Sequence, residues 1–212
     1  MDWGVYMGQI TELLKRFFLE EWKTLLLANL LFTAFSLPLI TVGPALLAMN
    51  GVLTRRADSR GSSSCWMDFW YVFKAKFWRG VQLEVTAGLY LLAILWSASV
   101  AGQLDGAGRT VLQLFIVLSL FLSAMAGVYL VPLLADSSLP FCSALWDAVL
   151  LSFARLPRTL LAAGAVYGSL YVFLLLYPIS VLPWAMLLLA AAAALSIALV
   201  WPAIDELIFP QE

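Results

Sequence analysis

The sequence predicts an all-α fold: a polytopic membrane helical bundle of about six membrane segments, the first two readable as a short hairpin, with amphipathic helices on the cytoplasmic side. Two observations carry this. Of the 212 residues, 63% are hydrophobic and 12% charged, and the mean hydropathy is +0.95. Ordinary soluble domains are about half apolar and a quarter charged. A soluble core of this length cannot bury the excess, so part of the solvent is lipid. Second, long apolar runs alternate with short amphipathic ones, and the basic residues collect beside the latter.

Residues 1–23 read as an interfacial helix. Ile10, Leu13, Leu14, Phe17 and Phe18 recur at helical spacing, while Glu12, Lys15, Arg16, Glu20 and Lys23 mostly take the other side, with Glu12 and Arg16 an i,i+4 pair. These charges also break any apolar signal-peptide region, so the first span is expected to act as an uncleaved anchor. Residues 24–54 form a broken hairpin. The run Ser36-Leu37-Pro38-Leu39-Ile40-Thr41-Val42-Gly43-Pro44-Ala45 interrupts it: Pro38 ends or kinks the first helix, and Gly43-Pro44 suits a turn with proline in the first turn of the next. Each arm is short for a bilayer, so a re-entrant hairpin and two short spans both fit. Arg55, Arg56 and Arg60 mark its end.

A polar, serine-rich loop leads to a second amphipathic helix over 66–79, where Trp66, Phe69, Trp70, Phe73 and Phe77 make one aromatic stripe and Asp68, Lys74, Lys76 and Arg79 lie off it. Spans follow over about 81–101 and 110–135, joined by a polar turn at 102–109. Glu84 sits one turn inside the first and reaches its interface. A third amphipathic stretch covers 140–156, with Leu145, Trp146, Val149, Leu150, Phe153 and Leu156 on its apolar side. The last spans are about 160–176, ending before Tyr177-Pro178, and 183–204. The whole chain is one integral membrane domain.

Six crossings put both termini on one side. Placing them in the cytoplasm leaves every Lys and Arg inside except Arg109, as the positive-inside rule requires. A parallel internal repeat is suggested by an offset of 79 positions, at which Asp68 meets Asp147, Lys76 meets Arg155 and Arg79 meets Arg158. Duplication and coincidence stand even on three matches.

Little in the sequence points to chemistry. The net charge of -1 gives no nucleic-acid footprint, and the chain has no histidine, the commonest general base and metal ligand. Cys65 and Cys142 fall in connections between spans on the cytoplasmic side, where free thiols are expected. No ionisable group lies at mid-span, where ion-coupled carriers need one. No catalytic motif occurs, and Asp58, Asp68, Asp136 and Asp147 are read as solvated or arginine-paired rather than as a metal site. No catalytic residue, cofactor or metal is therefore expected. Gly164 and Gly168 match the helix-packing spacing and suggest a homodimer contact; Gly102 and Gly106 have the same spacing but read as turn residues.

The hairpin motif (Ser36, Pro38, Thr41, Gly43 and Pro44 its marked positions), the short basic-ended helix after it, and the block Asp68-Phe69-Trp70-Tyr71-Val72-Phe73-Lys74-Ala75-Lys76-Phe77-Trp78-Arg79 together resemble the YesL-like family of bacterial membrane proteins, a domain family of uncharacterised function. Members of that family are typically found beside carbohydrate ABC-importer components and glycan-degrading enzymes. The resemblance implies a bacterial plasma-membrane protein with a role in sugar uptake, and it transfers no catalytic residues. Three functions are thereby set against one another: a non-enzymatic accessory subunit of a carbohydrate ABC importer, a small sugar permease or channel, and, lowest, a membrane enzyme. Besides membrane lipid, importer subunits are the expected partner, with Asp68, Trp70, Phe73, Lys76, Phe77, Arg79, Asp147, Arg155 and Arg158 as the contact.

Overall fold

The computed structural model describes residues 3–58, 60–61, 64–175 and 188–208, and every regular element among them is helical. Helix α1 (Trp3–Lys15) passes through a π-helical turn, Arg16–Glu20, into α2 (Trp22–Phe35). A 3-10 turn, Leu39–Thr41, leads into α3 (Val42–Ala57). Then come α4 (Cys65–Ala75), α5 (Phe77–Gln103), α6 (Ala107–Asp136), α7 (Phe141–Ala154), α8 (Leu156–Leu175) and α9 (Leu189–Ile208). The start of the span expected over 183–204, the last residue of that over 160–176, and Tyr177-Pro178 lie outside the described residues.

The core is built around α3. From Gly43 to Thr54 every residue but Leu46 is buried, and α2, α4, α5, α6 and α9 all pack on it. A helix that is apolar all round must be covered on every side, and α3 achieves this with small residues that let neighbours come close. A Cβ on Gly51 would stand 2.7 Å from Val72, and one on Gly43 would stand 2.1 Å from the Gly80 carbonyl oxygen. Arg55 pairs with Asp68. The contacts thus pair 43 with 80, 51 with 72 and 55 with 68. Equal steps in opposite directions mean that α3 runs antiparallel along α4 and the first turn of α5.

The aromatic stripe read as one helix over 66–79 is two helices. Lys76 leaves helical geometry (φ -110°, ψ 11°) between α4 and α5, so Phe77 and Arg79 belong to the long helix. The Phe73–Phe77 contact carries the stripe across the break, with ring centroids 5.7 Å apart. The interfacial helix expected over 1–23 is likewise divided: the π turn adds a residue to the helical register, buries Phe17 and leaves Phe18 and Leu19 outside, and Trp22 already belongs to α2.

Helices α5 and α6 have 27 and 30 residues, about 40 and 45 Å of helix, enough for a hydrocarbon layer of about 30 Å. No residue of 81–100 or 107–124 is buried, and the two helices are joined there by Tyr90 Oη and Ser119 Oγ at 2.9 Å. Leu89, Leu92, Trp96, Leu114, Phe115 and Leu118 are all exposed. An apolar surface of that extent is a membrane surface. The turn joining the two helices is shorter than expected. Gly102 is still helical, and Gly106 alone takes a positive φ, +62°, a region where a Cβ is disfavoured. Helix α8 has 20 residues, and with α7 it makes an apolar pair bent by 111° at Arg155, the geometry of a broken span or a re-entrant loop. Trp22–Phe35 and Leu189–Pro202 are shorter apolar helices.

The close packing at Gly80 gives a direct test. A Cβ there would meet Pro44 Cα at 2.4 Å, whereas one on Gly88, on the same helix, meets nothing within 4 Å. Gly80→Ala is expected to lower stability in detergent by about 1–3 kcal/mol. Gly88→Ala should be neutral or slightly stabilising, because alanine favours helix by up to ~1 kcal/mol. Equal melting of the two variants would contradict the packing.

Candidate functional site

The hairpin motif is where α3 begins. Pro38 is extended (φ -77°, ψ 109°), and the Thr41 amide and hydroxyl both turn back to the Pro38 carbonyl, at 2.8 and 2.7 Å. Val42, Gly43 and Pro44 then form the first helical turn, where proline's missing N–H costs nothing. The first amides of a helix need an acceptor and favour negative charge. Glu84 supplies both from another helix: its Oε2 accepts the Gly43 N–H at 3.0 Å. The sequence placed this carboxylate at an interface; the structure turns it onto the end of α3. Leu37, Leu39 and Ile40, at the tip of the turn, are 80%, 80% and 68% exposed.

At the other end of α3 lies a layer of paired charges. Arg56 lies 3.4 Å from Glu21 and 3.9 Å from Asp68, Arg55 lies 3.6 Å from Asp68, and Arg16 lies 3.6 Å from Glu21. Asp68 is buried, and a buried carboxylate requires such partners. Arg60 bridges Asp58 and Asp136, the latter at 2.9 Å, and so ties the end of α3 to the end of α6. Trp201 Nε1 of α9 donates to Asp58. Burial pushes the Asp58 carboxyl above its ordinary range, against the opposing pull of Arg60 and Trp201. Of the four aspartates weighed as ion ligands, three are engaged by arginine and the fourth, Asp147, stands apart in α7. Among the described residues no three His, Cys, Asp or Glu side chains lie close enough to share a metal.

The residues expected to contact a partner are divided by the fold. Asp68 and Phe73 are buried. Lys76 Nζ donates to the Ser137 carbonyl at 2.6 Å, and Arg79 reaches the Ser137 and Ser138 carbonyls, each at 2.7 Å. Both cations therefore hold the end of α6, where free carbonyls and the helix dipole favour positive charge. Burial lowers the Lys76 pKa, and Arg79 adds to the effect. Trp70 is exposed, with Lys74 Nζ 4.7 Å from its ring centroid and Phe35 packed beside it. Phe77 is half-buried against Phe73. Asp147 lies in α7, Arg155 is the break residue between α7 and α8, and Arg158 is in α8. Gly164 and Gly168 have open space where a Cβ would stand.

Two cavities border the charged layer. One, of about 1100 Å³, opens between α1, the end of α3 and α9, and is lined by Glu12, Lys15, Arg16, Glu20, Asp58 and Trp201. The other, of about 740 Å³, lies between the end of α6 and α7 and has both Lys76 and Asp147 in its wall. The cysteines open helices rather than lying in loops, and both are free thiols. Cys65 is buried under α2, which lifts its pKa to about 11. Cys142 is exposed. Sequence reasoning missed the roles of Glu84, Asn29 and Trp201. Asn29, read only as the most polar residue of an apolar run, is fully buried and accepts the Ala190 N–H at 3.1 Å, capping the start of α9. Its isolation in that run is the signal that marks it, because a buried amide needs a partner.

A family model described as "Protein of unknown function, DUF624" matches residues 24–98, from α2 through most of α5. The matched region contains the whole contact set among α3, α4 and the start of α5. No curated protein and no solved structure matches the chain.

The charged layer should behave as a coupled unit. Arg56→Ala or Asp68→Ala alone is expected to cost about 1–3 kcal/mol, since each removes a largely buried ion pair while a second partner remains, Arg55 for Asp68 and Glu21 for Arg56. The double variant should cost clearly less than the two single losses together. Additive losses in a double-mutant cycle, followed by thermal melting in detergent, would contradict the coupling. At the other end of α3, Glu84→Ala should cost about 1–3 kcal/mol and Glu84→Gln less, because the amide oxygen still accepts from Gly43.

Proposed function

We propose that the chain is a non-enzymatic accessory or regulatory subunit of a carbohydrate ABC importer in the bacterial plasma membrane. The observation that carries this reading is the two-faced packing of α4. Its inner face (Asp68, Phe69, Val72 and Phe73) is fixed by α3, while Trp66, Met67, Trp70 and Tyr71 stand exposed on the outer face. Exposed aromatics on a rigid support, bordered by Lys74 and Arg55, suit contact with another membrane protein and with lipid headgroups. The resemblance to a family found with importer components supplies the partner. A small sugar permease is the second reading, favoured by a broken helix at membrane depth; the close packing of α3 on every side weighs against a sugar-wide path along it.

Within this reading the hairpin over 24–54 is re-entrant. The start of α3 stops beside Gly80 and Glu84, in the first turns of α5, and its exposed Leu37, Leu39 and Ile40 enter the edge of the hydrocarbon. Four crossings, by α5, α6, α8 and α9, then leave both termini in the cytoplasm with the basic layer. The fold is read as two copies of one three-helix unit, α3–α4–α5 and α6–α7–α8. Several features at the offset of 79 support this. Helices end at Ala57 and Asp136, breaks fall at Lys76 and Arg155, and the break amides bond to Val72 and Leu151.

Affinity purification from native membranes in mild detergent should recover importer permease or ATPase subunits in stoichiometric amount. A Met67→Ser/Tyr71→Ser variant should melt like the parent but lose that recovery by about tenfold. Recovery of the chain alone contradicts the accessory role, and sugar flux into liposomes then tests the permease. For orientation, an impermeant maleimide should label Cys142 in inverted vesicles and not in right-side-out ones. Cys65 should stay unlabelled in both, because burial keeps its thiol protonated and covered.

A further inference from the structure

The cavity between the end of α6 and α7 has an amphipathic wall. Its volume, about 740 Å³, is in the range of small-molecule sites, ~300–1,000 Å³. Leu139, Leu150 and Leu151 line one part, and Lys76, Asp136 and Asp147 another. The three charges are not equivalent. Asp136 is taken by Arg60 at 2.9 Å. The Lys76 ammonium gives one proton to the Ser137 carbonyl and keeps two donors. Asp147 has no hydrogen bond or ion pair among the described residues. Its counterpart in the first unit, Asp68, is held by Arg55 and Arg56. At the offset of 79 those arginines are replaced by Leu134 and Ala135. The second unit therefore keeps the carboxylate, drops its cations and opens a cavity in front of it.

We propose that this cavity binds a phospholipid whose headgroup carries a primary ammonium beside its phosphate, as phosphatidylethanolamine does. Lys76 meets the phosphate, Asp147 meets the ammonium, and the leucines cover the first part of the acyl chains. The depth is right: Lys76 immediately precedes the α5 span, at the level where headgroups lie. The charge pattern also discriminates. An anionic glycerol headgroup brings no cation to Asp147 and is repelled by it. A choline headgroup has a cation but no N–H to donate. The proposal rests on the membrane reading given above, which is tested separately by whether the chain fractionates with membranes and needs detergent.

The test is native mass spectrometry of the full chain in mild detergent, titrated with dioleoyl phosphatidylethanolamine, phosphatidylglycerol and phosphatidylcholine. The ethanolamine lipid should bind about tenfold tighter than the other two. Asp147→Asn should erase that preference without moving the melting temperature, since Asp147 makes no hydrogen bond or ion pair among the described residues and the amide keeps its shape. Ala154→Trp, on the rim of the cavity, should weaken all three lipids by blocking the wall. Soluble glycerophosphoethanolamine should not displace the lipid, because it lacks the chains. Equal binding of the three lipids, an ethanolamine preference that survives Asp147→Asn, or displacement by the soluble headgroup would each overturn the proposal.

Discussion

The fold depends on how closely the start of α3 approaches α5. At Gly43 and Gly80 two backbones meet with no side chain between them, and the Glu84 carboxylate takes the Gly43 amide across the same gap. Neither feature works without the other. Without the glycines the helices stand too far apart for the hydrogen bond. Without the carboxylate an apolar surrounding leaves the first turn of α3 short of an acceptor, and a stranded amide there is costly. This contact sets the register of α3 along α4, and the register in turn brings Arg55 and Arg56 to Asp68.

At the far end of α3 the same constraint appears as charge. Burying Asp68 and half-burying Glu21 is tolerable because Arg56 lies between them, with Arg55 beside Asp68 and Arg16 beside Glu21, and Arg60 extends the layer to α6. Lys76 and Arg79 then close the end of α6 by meeting the carbonyls of Ser137 and Ser138. The basic residues that set orientation in the sequence therefore also join helix ends into one layer. The consequence for interaction is that α4 keeps only its outer aromatic face free, and the second unit, lacking the arginines, keeps a cavity instead.

Much of the helical order was legible because lipid imposes simple rules. The long apolar runs became α5 and α6 within a few residues, and the prolines of the 36–45 stretch mark where α2 stops and α3 starts. The site was less legible, and for a physical reason. The roles of Glu84, Asn29 and Trp201 are set by partners on helices far away in the chain, so no local spacing encodes them. The break at Lys76 was hidden because Phe73 and Phe77 keep the aromatic stripe intact across it. Gly102 was placed in a turn by composition, but its backbone is helical and only Gly106 needs a positive φ. Lys76 and Arg79 looked like surface cations because sequence cannot show that the end of another helix waits for them.

The most direct test is the depth of the hairpin tip. Spin labels at Leu39 and Asp105 sit on exposed turns, one beside the start of α5 and one at its far end. Pulsed electron–electron distance measurement in nanodiscs should give about 30 Å or more, since about 20 helical residues separate Glu84 from that turn. A distance below about 15 Å would mean that the hairpin crosses the bilayer to meet the α5–α6 turn, and the placement of α3 against Gly80 and Glu84 would then be wrong.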